Sequence, residues 1–584
     1  MWQLRDSEIV RDDARVSAVE VLAALTDDGG STLRRDVPEI RFSRMPLEVR
    51  VRVSGNFPEG LLSNIVARKA GALWNVVPNC DHIVVAGTWH PLETTSLFAA
   101  RNICPKDEQA GLSAGDYIRL LTVLAPGSVL DETTHEMASE WGKHRDSMSP
   151  PIGLNAELFP YQTVGSTAMR ILARLDLGTL LADEMGLGKT VQAIALLLDQ
   201  RERGPSLVVA PAALLANWRR ELMTFAPGLT FLVHAGPRRA GSTRGLQGYD
   251  VVVTSYDSVL NDIAFMEDIH WNIVAIDEAQ FIKNPDAQRA KAVKRLDRRV
   301  SVAISGTPFE NSLIDLWSIS EFVLPQMLGD RSAFEALFPD QDDAAHEAGR
   351  LVAPITIRRP VSEVATDLPP RWDSLTPLDP SEEDLANVRR VRDDSRAFGG
   401  LVEQLVICAH GDDDSALPTI FAGKPKVEYA ISLITEAVAS GDKVLVFAGY
   451  QATLDRLASS IHSELPEIYL AVIDGRMPAD DRVETIDTFS AADAGCLLLN
   501  PDAAGVGLNI TAANHVIHFN PEWNPAVTAQ ATARAFRRRQ HKPVFVHHLY
   551  YAGTIEQDVI ERSDFKRALA AAVDAGIVEG GEAK

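Results

Sequence analysis

The chain has 584 residues, of which 46% are hydrophobic, and it carries a formal net charge of −23. This length exceeds what one hydrophobic core can organise, so three or more domains are expected. The bulk charge argues against a nucleic-acid binder, because phosphates attract positive charge, unless local basic clusters override the average.

Residues 1–150 contain no motif of identifiable chemistry and are predicted to form a smaller α+β accessory domain whose role is unknown. Residues 47–55 alternate as a strand should, whereas residues 115–124 fit either a helix or a strand. The consecutive prolines of "SMSPP" (147–151) resist regular structure and mark the predicted boundary.

From about residue 158, short apolar runs alternate with helix-length segments, which is typical of a parallel sheet wrapped by helices. One series of runs lies at 178–182, 207–211, 250–256, 272–279 and 300–307, and a second at 443–448, 468–475, 496–500, 515–520 and 544–550. An α/β fold with two parallel-sheet lobes is therefore predicted. The lobes are assigned to 151–355 and 426–575, with an inter-lobe segment at 356–425 and a frayed tail at 576–584.

The segment "LLADEMGLGKT" (180–190) ends an apolar run and begins a helix, which is the context of a phosphate-binding loop. The usual pattern is GxxxxGKT, but Asp183 holds the place of the first glycine. Backbone N–H groups from Gly186 to Thr190, including that of Gly188, would cradle the β- and γ-phosphates of a nucleotide. Lys189 would neutralise them, and the Thr190 hydroxyl would bind Mg²⁺.

A second motif, "VAIDEAQ" (274–280), supports this interpretation. An apolar strand delivers Asp277 and Glu278 at its carboxyl end, where ligands bind in open α/β sheets. Asp277 is predicted to hold the Mg²⁺, and Glu278 to orient and deprotonate an attacking water.

Further motifs follow one another along the chain. They are "LFPYQ" (158–162), "VVAPAALLANWRREL" (208–222), "TSY" (254–256), "DEAQFIKNP" (277–285), "ISGTPFENSLIDLWSI" (304–319), "IRRPVSEVATDLPPR" (357–371), "DAAGVGLNITAANHVIHFNPEWNP" (502–525) and "QATARAFRRRQHKPVFVHHLYYAGTIEQDV" (530–559). With "DEMGLGKT", this series resembles the motifs of Swi/Snf-type ATPases of helicase superfamily two, in the "DEAQ" form common in microbial members. The aspartate in place of the first glycine belongs to that family's version of the loop.

The resemblance implies two RecA-like lobes, with ATP and Mg²⁺ bound between them. It implies that Gln162 reads the adenine edge and that Gln280 and Gly507 also bind ATP. Arg534 and Arg537 fall on the arginine positions of QxxxRxxR, and a helix there would put both on one face. Such arginines are worth about 10³–10⁵ in rate. The chain departs from the family pattern at Pro360, Ala504, Ala533 and Arg539, none of which removes a group that hydrolysis needs.

The resemblance further implies a translocase on double-stranded DNA that remodels or displaces a DNA-bound protein, working with a protein target or partner subunit. The residues expected to contact DNA are Arg219, Arg220, Ser255 and Lys283 in the first lobe, and Asn509, Trp523, Arg538 and Lys542 in the second. Contacts to the DNA backbone are independent of sequence, which suits a motor.

Three alternatives remain open: a helicase that separates DNA or RNA strands, a scaffold that has lost hydrolysis, and the motor subunit of an antiphage defence system. For location, the sequence has no apolar run of about 18 residues and no signal-peptide core. Its four cysteines lack a CxxC pair, which argues against a zinc site and favours a reducing compartment. A cytoplasmic, nucleoid-associated protein of a bacterium or archaeon is expected.

Overall fold

The computed structural model describes residues 1–582, apart from 6–7, 13, 28, 56–59, 106–110, 125–126, 134–148, 238, 308, 310–311, 366–367, 383–384, 387, 390–398, 411–424, 502–509 and 539. Ala504, Gly507, Asn509 and Arg539 therefore lie outside the described residues. Among the residues that are described, no helix combines the length and the apolar character needed to cross a membrane.

The first lobe is built on a seven-stranded sheet in which every pairing is parallel. Its strand order is β13-β14-β12-β15-β16-β11-β17 once the N-terminal strands are numbered β1–β10. The strands are β11 (Thr179–Leu181), β12 (Ser206–Ala210), β13 (Phe231–His234), β14 (Val251–Ser255), β15 (Trp271–Asp277), β16 (Arg298–Ile304) and β17 (Thr356–Ile357). All residues of β12 and β14 are buried, because helices cover both faces of a parallel sheet.

The region before this lobe is of α+β type. Its strands are β1 (Trp2–Arg5), β2 (Glu8–Arg11), β3 (Ala14–Arg15), β4 (Arg41–Phe42), β5 (Glu48–Gly55), β6 (Leu61–Lys69), β7 (Ala72–Asn75), β8 (His82–Val85), β9 (Thr88–Pro91) and β10 (Val129–Thr133). Its helices are α1 (Ala18–Asp27), α2 (Ser31–Asp36), α3 (Thr94–Ile103) and α4 (Ala114–Val123). The ambiguous segment 115–124 is thus mainly helix. Tyr117 and Leu120 of α4 belong to the same buried cluster as Phe322 and Leu324 of the first lobe, so the two regions share one core.

The helices of the first lobe surround its sheet, in agreement with the alternating pattern of the sequence. They are α5 (Pro160–Arg174), α6 (Lys189–Asp199), α7 (Leu215–Phe225), α8 (Tyr256–Met266), α9 (Gln288–Arg295), α10 (Leu313–Val323), α11 (Arg331–Leu337), α12 (Asp342–Val352) and α13 (Val361–Val364). The amino end of α6 and the carboxyl ends of β11 and β15 meet at one edge of the sheet, where the phosphate loop lies.

The second lobe has a six-stranded parallel sheet in the order β18-β23-β22-β19-β21-β20. Its strands are β18 (Arg371–Leu378), β19 (Lys443–Phe447), β20 (Tyr469–Ile473), β21 (Gly495–Leu499), β22 (His515–His518) and β23 (Val544–Tyr551). Its helices are α14 (Gly399–His410), α15 (Pro425–Ala439), α16 (Gln451–Glu464), α17 (Ala479–Ala491), α18 (Pro525–Thr532) and α19 (Ile555–Glu582). Residues 371–378, which fall in the predicted inter-lobe segment, form an edge strand of this sheet.

The C-terminal helix α19 leaves the second lobe and returns to the first, so the predicted frayed tail is helical through Glu582. It crosses α12 closely at glycines: a Cβ on Gly576 would lie 1.9 Å from the carbonyl oxygen of His346. Asp574 accepts two hydrogen bonds from Arg358, at 3.0 Å and 2.9 Å. The helix therefore ties the two lobes together.

Candidate active site at the seam between the lobes

The phosphate loop joins β11 to α6 through two glycines with positive φ, Gly186 at 87° and Gly188 at 71°. Glycine takes up this left-handed conformation without the steric penalty that a side chain brings. The Lys189 ammonium donates to the carbonyl oxygens of Asp183 at 2.9 Å and Glu184 at 3.3 Å. Burial lowers the pKa of Lys189, and nearby carboxylates, Glu278 first among them, oppose that shift. The loop thus holds a lysine at the amino end of a helix, which is a favourable place for an anion.

The aspartate that replaces the first loop glycine is fully buried and paired. Arg359 donates from Nε to Oδ1 of Asp183 at 2.7 Å and from Nη2 to Oδ2, and Gln192 donates to the same Oδ2 at 3.1 Å. The backbones of the same two segments are also joined, since the Ala182 N–H donates to the Ile357 carbonyl at 2.7 Å. The segment that leads out of the first lobe is therefore fastened to the phosphate loop.

Gln162, predicted to read adenine, is buried at the start of α5. Its Oε1 accepts from the Phe159 N–H at 3.0 Å and its Nε2 donates to the Leu187 carbonyl at 3.0 Å. The hydroxyl of Tyr161 donates to the same carbonyl at 3.1 Å. Gln162 thus joins the start of α5 to the phosphate loop.

The two acidic residues lie at the carboxyl end of β15. Asp277 Oδ2 accepts from the Trp218 indole N–H at 2.8 Å, and its backbone carbonyl accepts from the Tyr256 hydroxyl at 2.7 Å. Burial, and then the neighbouring Glu278, raise the pKa of Asp277 to about 7. A divalent cation would reverse that shift, because an opposite charge favours the carboxylate.

Glu278 has a φ of 51°, which is uncommon for a residue with a side chain. Its Oε2 accepts from Gln280 Nε2 at 2.8 Å, and Gln280 Oε1 accepts from the Ser305 hydroxyl at 3.0 Å. Gln280, predicted to bind ATP, thus links Glu278 to the loop after β16. Across the seam, Gln530 Nε2 lies 3.5 Å from Glu278 Oε1.

Arg534 and Arg537 reach this seam from the second lobe. The Cβ of Arg537 lies 3.4 Å from where a Cβ on Gly186 would stand, so the second lobe abuts the phosphate loop. Arg534 is buried, and its pKa is lowered to about 10 by desolvation and then by Arg537, against the opposing charge of Glu278. It therefore remains a cation at neutral pH beside the predicted base.

The prediction that one helix carries both Arg534 and Arg537 was wrong, because α18 ends at Thr532. Beyond Thr532 the backbone forms tight turns: the Arg534 N–H donates to the Ala531 carbonyl and the Ala535 N–H donates to the Thr532 carbonyl, each at 3.1 Å. The Gln540 amide fixes this turn by donating to Ala513 at 2.7 Å and Ala535 at 3.2 Å.

A further carboxylate, Glu221 of α7, lies near the same groups. Its Oε1 accepts from Asn217 Nδ2 at 2.8 Å, and it interacts with Arg537 and the Thr190 hydroxyl. Burial raises the pKa of Glu221 above its ordinary value, and these neighbours oppose the shift. Glu221 thus adds negative charge close to the site where the phosphates of a nucleotide would bind.

The predicted DNA-binding residues of the first lobe differ in their exposure to solvent. Arg219 and Arg220 are exposed on α7, and Lys283 is partly exposed after β15. Ser255 differs from the expectation: it is buried, and its hydroxyl accepts from the Ser258 N–H at 3.1 Å at the start of α8. Its side chain serves as a helix cap, because the first N–H groups of a helix need an acceptor.

The predicted DNA-binding residues of the second lobe also differ in exposure. Lys542 is exposed and donates to Asp442 at 2.6 Å. Trp523 is half-buried and lines a cavity of about 190 Å³ together with Tyr450 and Glu522. Arg538 lies in the seam, its guanidinium carbon 3.4 Å from the ring centre of Phe159, and not on an open surface.

The residues present fit a magnesium–nucleotide complex. The loop offers glycine N–H groups, a lysine and the Thr190 hydroxyl, while Asp277 offers a carboxylate whose pKa is raised by burial and then by the neighbouring Glu278. Hydroxyl and carboxylate oxygens are the ligands that Mg²⁺ prefers. Thr190 and Asp277 are therefore the residues that would hold the cation.

Several contributing residues were not singled out from the sequence. Trp218 and Arg359 lay inside quoted motifs, "NWRREL" and "IRRP", but nothing in those letters indicated which distant carboxylate each would meet. Glu221 and Gln540 carried no separate signal. Gln540 meets Ala513, 27 residues earlier, and Glu221 meets Thr190 and the distant Arg537, so these contacts depend on how separate elements pack.

Comparison with known proteins shows two family matches. Residues 117–390 match the SNF2-related domain, and residues 425–539 match the helicase conserved C-terminal domain. A Bacillus subtilis protein that carries the name "Putative ATP-dependent helicase/translocase YwqA" is 34% identical over 444 residues, covering 70% of this chain and 48% of the relative. The ISWI chromatin-remodeling complex ATPase ISW1 of Saccharomyces cerevisiae is 28% identical, covering 72% and 41%. The chain thus matches less than half of the length of these relatives.

Among solved structures, the SWI2/SNF2 ATPase core of Sulfolobus solfataricus in complex with double-stranded DNA is 31% identical to this chain. The match covers 72% of this chain and 95% of that one, with a TM-score of 0.40.

Proposed function

Because the chain belongs to the SNF2-related family of helicase superfamily two, we propose that it is an ATPase that moves along double-stranded DNA. ATP would bind between the lobes and draw them together, and hydrolysis would let them part. Alternating grip on the DNA backbone would convert that cycle into movement. Displacement or remodelling of a DNA-bound protein would be the consequence.

The observation that carries the proposal is the meeting of Lys189, Glu278, Arg534 and Arg537 at one seam. Two lobes contribute to it, so the catalytic set is complete only when they are close. Cations from the second lobe next to a phosphate loop of the first are what stabilisation of a phosphoryl-transfer transition state requires. A scaffold without hydrolysis would have no need of this arrangement.

Each residue then has a role in hydrolysis. Lys189 and the loop N–H groups would bind the β- and γ-phosphates, and bound Mg²⁺ would neutralise developing charge on the phosphate oxygens. Glu278 would accept a proton from the attacking water, with Gln280 holding its carboxylate through the bond at 2.8 Å. Arg534 and Arg537 would stabilise the charge of the transferring phosphoryl group.

For DNA, the exposed side chains of Arg219 and Arg220 are the strongest remaining candidates in the first lobe, and in the second lobe Lys542 is exposed although it pairs with Asp442. The sequence also contains a basic stretch at 288–299, and several of its side chains are engaged within the protein. Arg295 pairs with Glu267, Lys294 donates to Ser318 at 2.9 Å, and Arg299 donates to Asn272. A cytoplasmic location beside DNA would suit this function.

The deciding experiment is phosphate release by the purified protein with no nucleic acid, single-stranded DNA, duplex DNA and RNA. Stimulation by duplex DNA is expected. Triplex displacement without strand displacement would support translocation, whereas unwinding of a duplex would favour a strand-separating helicase. Lack of ATP turnover under all conditions would refute the proposal and leave a scaffold. Co-purification of a defence-system nuclease would identify the third alternative.

A further inference from the structure

Helix α7 (Leu215–Phe225) contacts both of the residues that would hold the magnesium ion. The Trp218 indole N–H donates to Asp277 at 2.8 Å, and Glu221 interacts with the Thr190 hydroxyl. Positions 218 and 221 are three apart, so a helix presents them on one face. This face of α7 therefore lies against the metal end of the candidate nucleotide site.

Another side of the same helix is open to solvent. Arg219, Arg220 and Met223 are exposed on it. Arg220 is one of the two arginines that are the strongest candidates for DNA contact in the first lobe. A single helix thus stands between a surface suited to a phosphate backbone and the residues that would act on a nucleotide.

A hydrogen-bonded relay crosses α7 between these two sides. The Arg220 Nη2 donates to the Asn217 Oδ1 at 2.5 Å, and the Asn217 Nδ2 donates to the Glu221 Oε1 at 2.8 Å. Their spacings of three and four residues make these side chains neighbours on a helix surface. Because one amide supplies both the acceptor and the donor, the orientation of Asn217 couples Arg220 to Glu221.

Glu221 lies where it competes with a nucleotide for a cation of the second lobe. It interacts electrostatically with Arg537, whose Cβ lies 3.4 Å from the place of a Cβ on Gly186 in the phosphate loop. A carboxylate and a γ-phosphate are both anions, so an arginine that pairs with one is less available to the other. Holding Glu221 beside Arg537 therefore slows a reaction whose transition state Arg537 stabilises.

We propose that Arg220, Asn217 and Glu221 form a DNA-sensing relay that restrains hydrolysis until Arg220 binds a phosphate of duplex DNA. This inference rests on the proposed function, since it assigns the regulation of the same site. A phosphate draws the Arg220 guanidinium away from Asn217, because a hydrogen bond between two charged groups is stronger than one to a neutral amide. The Asn217 amide then loses its fixed orientation, its hold on Glu221 weakens, and Arg537 becomes available to the γ-phosphate.

The relay and a plain DNA contact make different predictions for turnover without DNA. An arginine that only binds DNA has no effect on turnover when no DNA is present. An arginine that holds the relay slows this basal turnover, so its removal makes the enzyme faster. A residue that merely supports the fold of α7 would, when replaced, lower turnover both with and without DNA.

The experiment measures kcat and KM for ATP on the full chain, with no nucleic acid and with saturating duplex DNA. Arg220→Met removes the first donor. Asn217→Asp keeps the acceptor for Arg220 but cannot donate to Glu221, and Glu221→Gln keeps the shape of the side chain without its charge. Each variant is expected to raise the DNA-free kcat by about three- to tenfold, with KM for ATP unchanged, because a hydrogen bond of ordinary net strength is released.

Turnover with saturating duplex DNA should stay at the wild-type value, so the stimulation by DNA falls in all three variants. The double variant Arg220→Met with Glu221→Gln should be no faster than either single variant, because both act through one relay. Met223→Ala, at an exposed position of the same helix, is the matched control and should change neither rate.

DNA-free turnover at the wild-type level in Arg220→Met would overturn the relay and leave the proposed function standing. Slower turnover in Glu221→Gln, with and without DNA, would also overturn it and assign Glu221 to the positioning of Thr190. The proposed function fails separately: unwinding of the duplex would refute a translocase, while faster DNA-free turnover in the variants would still support the relay. A wild-type protein that duplex DNA does not stimulate refutes both.

Discussion

Arg359 and the fully buried Asp183 form a two-pronged ion pair between the segment that leaves the first lobe and the start of the phosphate loop. The aspartate stands where the common loop pattern has glycine, and its exposed surface is zero. Its function in this chain is therefore structural: it anchors Arg359, whose neighbour Arg358 holds the C-terminal helix through Asp574. The phosphate loop is thus connected by two successive arginines to the helix that ties the lobes together.

Replacing Asp183 by asparagine is expected to destabilise the first lobe by about 3–5 kcal/mol, because it leaves the partly buried Arg359 guanidinium without its counter-charge. Thermal unfolding of the variant measures this. Asp183→Asn combined with Arg359→Met should recover part of the loss, since the unpaired cation is then gone. A double variant no more stable than Asp183→Asn would argue against the ion pair as the cause.

Glu278→Gln should retain ATP binding and lose turnover by about 10²–10⁴-fold, because the amide cannot accept the proton of the attacking water. Phosphate release under saturating ATP and equilibrium binding of ATP are the two measurements. Glu267→Gln, which removes a carboxylate paired with Arg295 on the surface, serves as the matched control. Turnover like that of the unmodified protein would show that Glu278 is not the base.

Arg537→Ala is expected to bind ATP but to hydrolyse it about 10³–10⁵-fold more slowly, since it removes a cation that acts on the transition state. The comparison of kcat with ATP affinity separates this from simple binding. Arg567→Ala controls for loss of an exposed arginine from the same lobe. If ATP affinity collapsed while kcat held, Arg537 would be a ligand of the ground state instead.

The raised pKa of Asp277 predicts a pH-dependent stability without metal. Its folded pKa is about 7 against an ordinary value of 3.8, so the folded state binds more protons than the unfolded state in between. Unfolding free energy is therefore lost as pH rises through this window, and the cost is complete above about pH 7. In EDTA, Asp277→Asn should raise the midpoint of thermal unfolding more at pH 8 than at pH 5. Each kcal/mol of recovered stability corresponds to a rise of about 2–4 °C in that midpoint. An equal change at both pH values would contradict the assigned shift.

The close crossing of α19 and α12 predicts that Gly576→Val loosens the C-terminal helix. The new Cβ would overlap the His346 carbonyl oxygen, now 1.9 Å from its position, and the helix must move away. Hydrogen exchange should increase across 555–582 and α12. Ala575→Val, at an exposed neighbouring position, should change neither. Unchanged protection in Gly576→Val would mean that the contact contributes little to holding the lobes.

Most strands of both sheets could be predicted because a strand buried on both faces must be apolar throughout, as in β12 and β21. The edge strand β18 escaped prediction for the opposite reason. All of its first five residues are exposed and it contains a proline, so its sequence lacks the apolar run that marks a buried strand. The phosphate loop and the Asp277–Glu278 pair were identifiable because their chemistry needs particular residues in a short stretch.

The sequence by itself determined the family and the two parallel sheets, and it supplied the candidate residues for phosphate, metal and proton transfer, because local spacing and residue type carry that information. Tertiary structure alone decided which distant groups meet. It paired Asp183 with Arg359, Trp218 with Asp277 and Arg538 with Phe159, and it returned the C-terminal helix to the first lobe. These contacts join residues far apart in the chain, and they depend on how helices and sheets pack, which no local pattern of letters encodes.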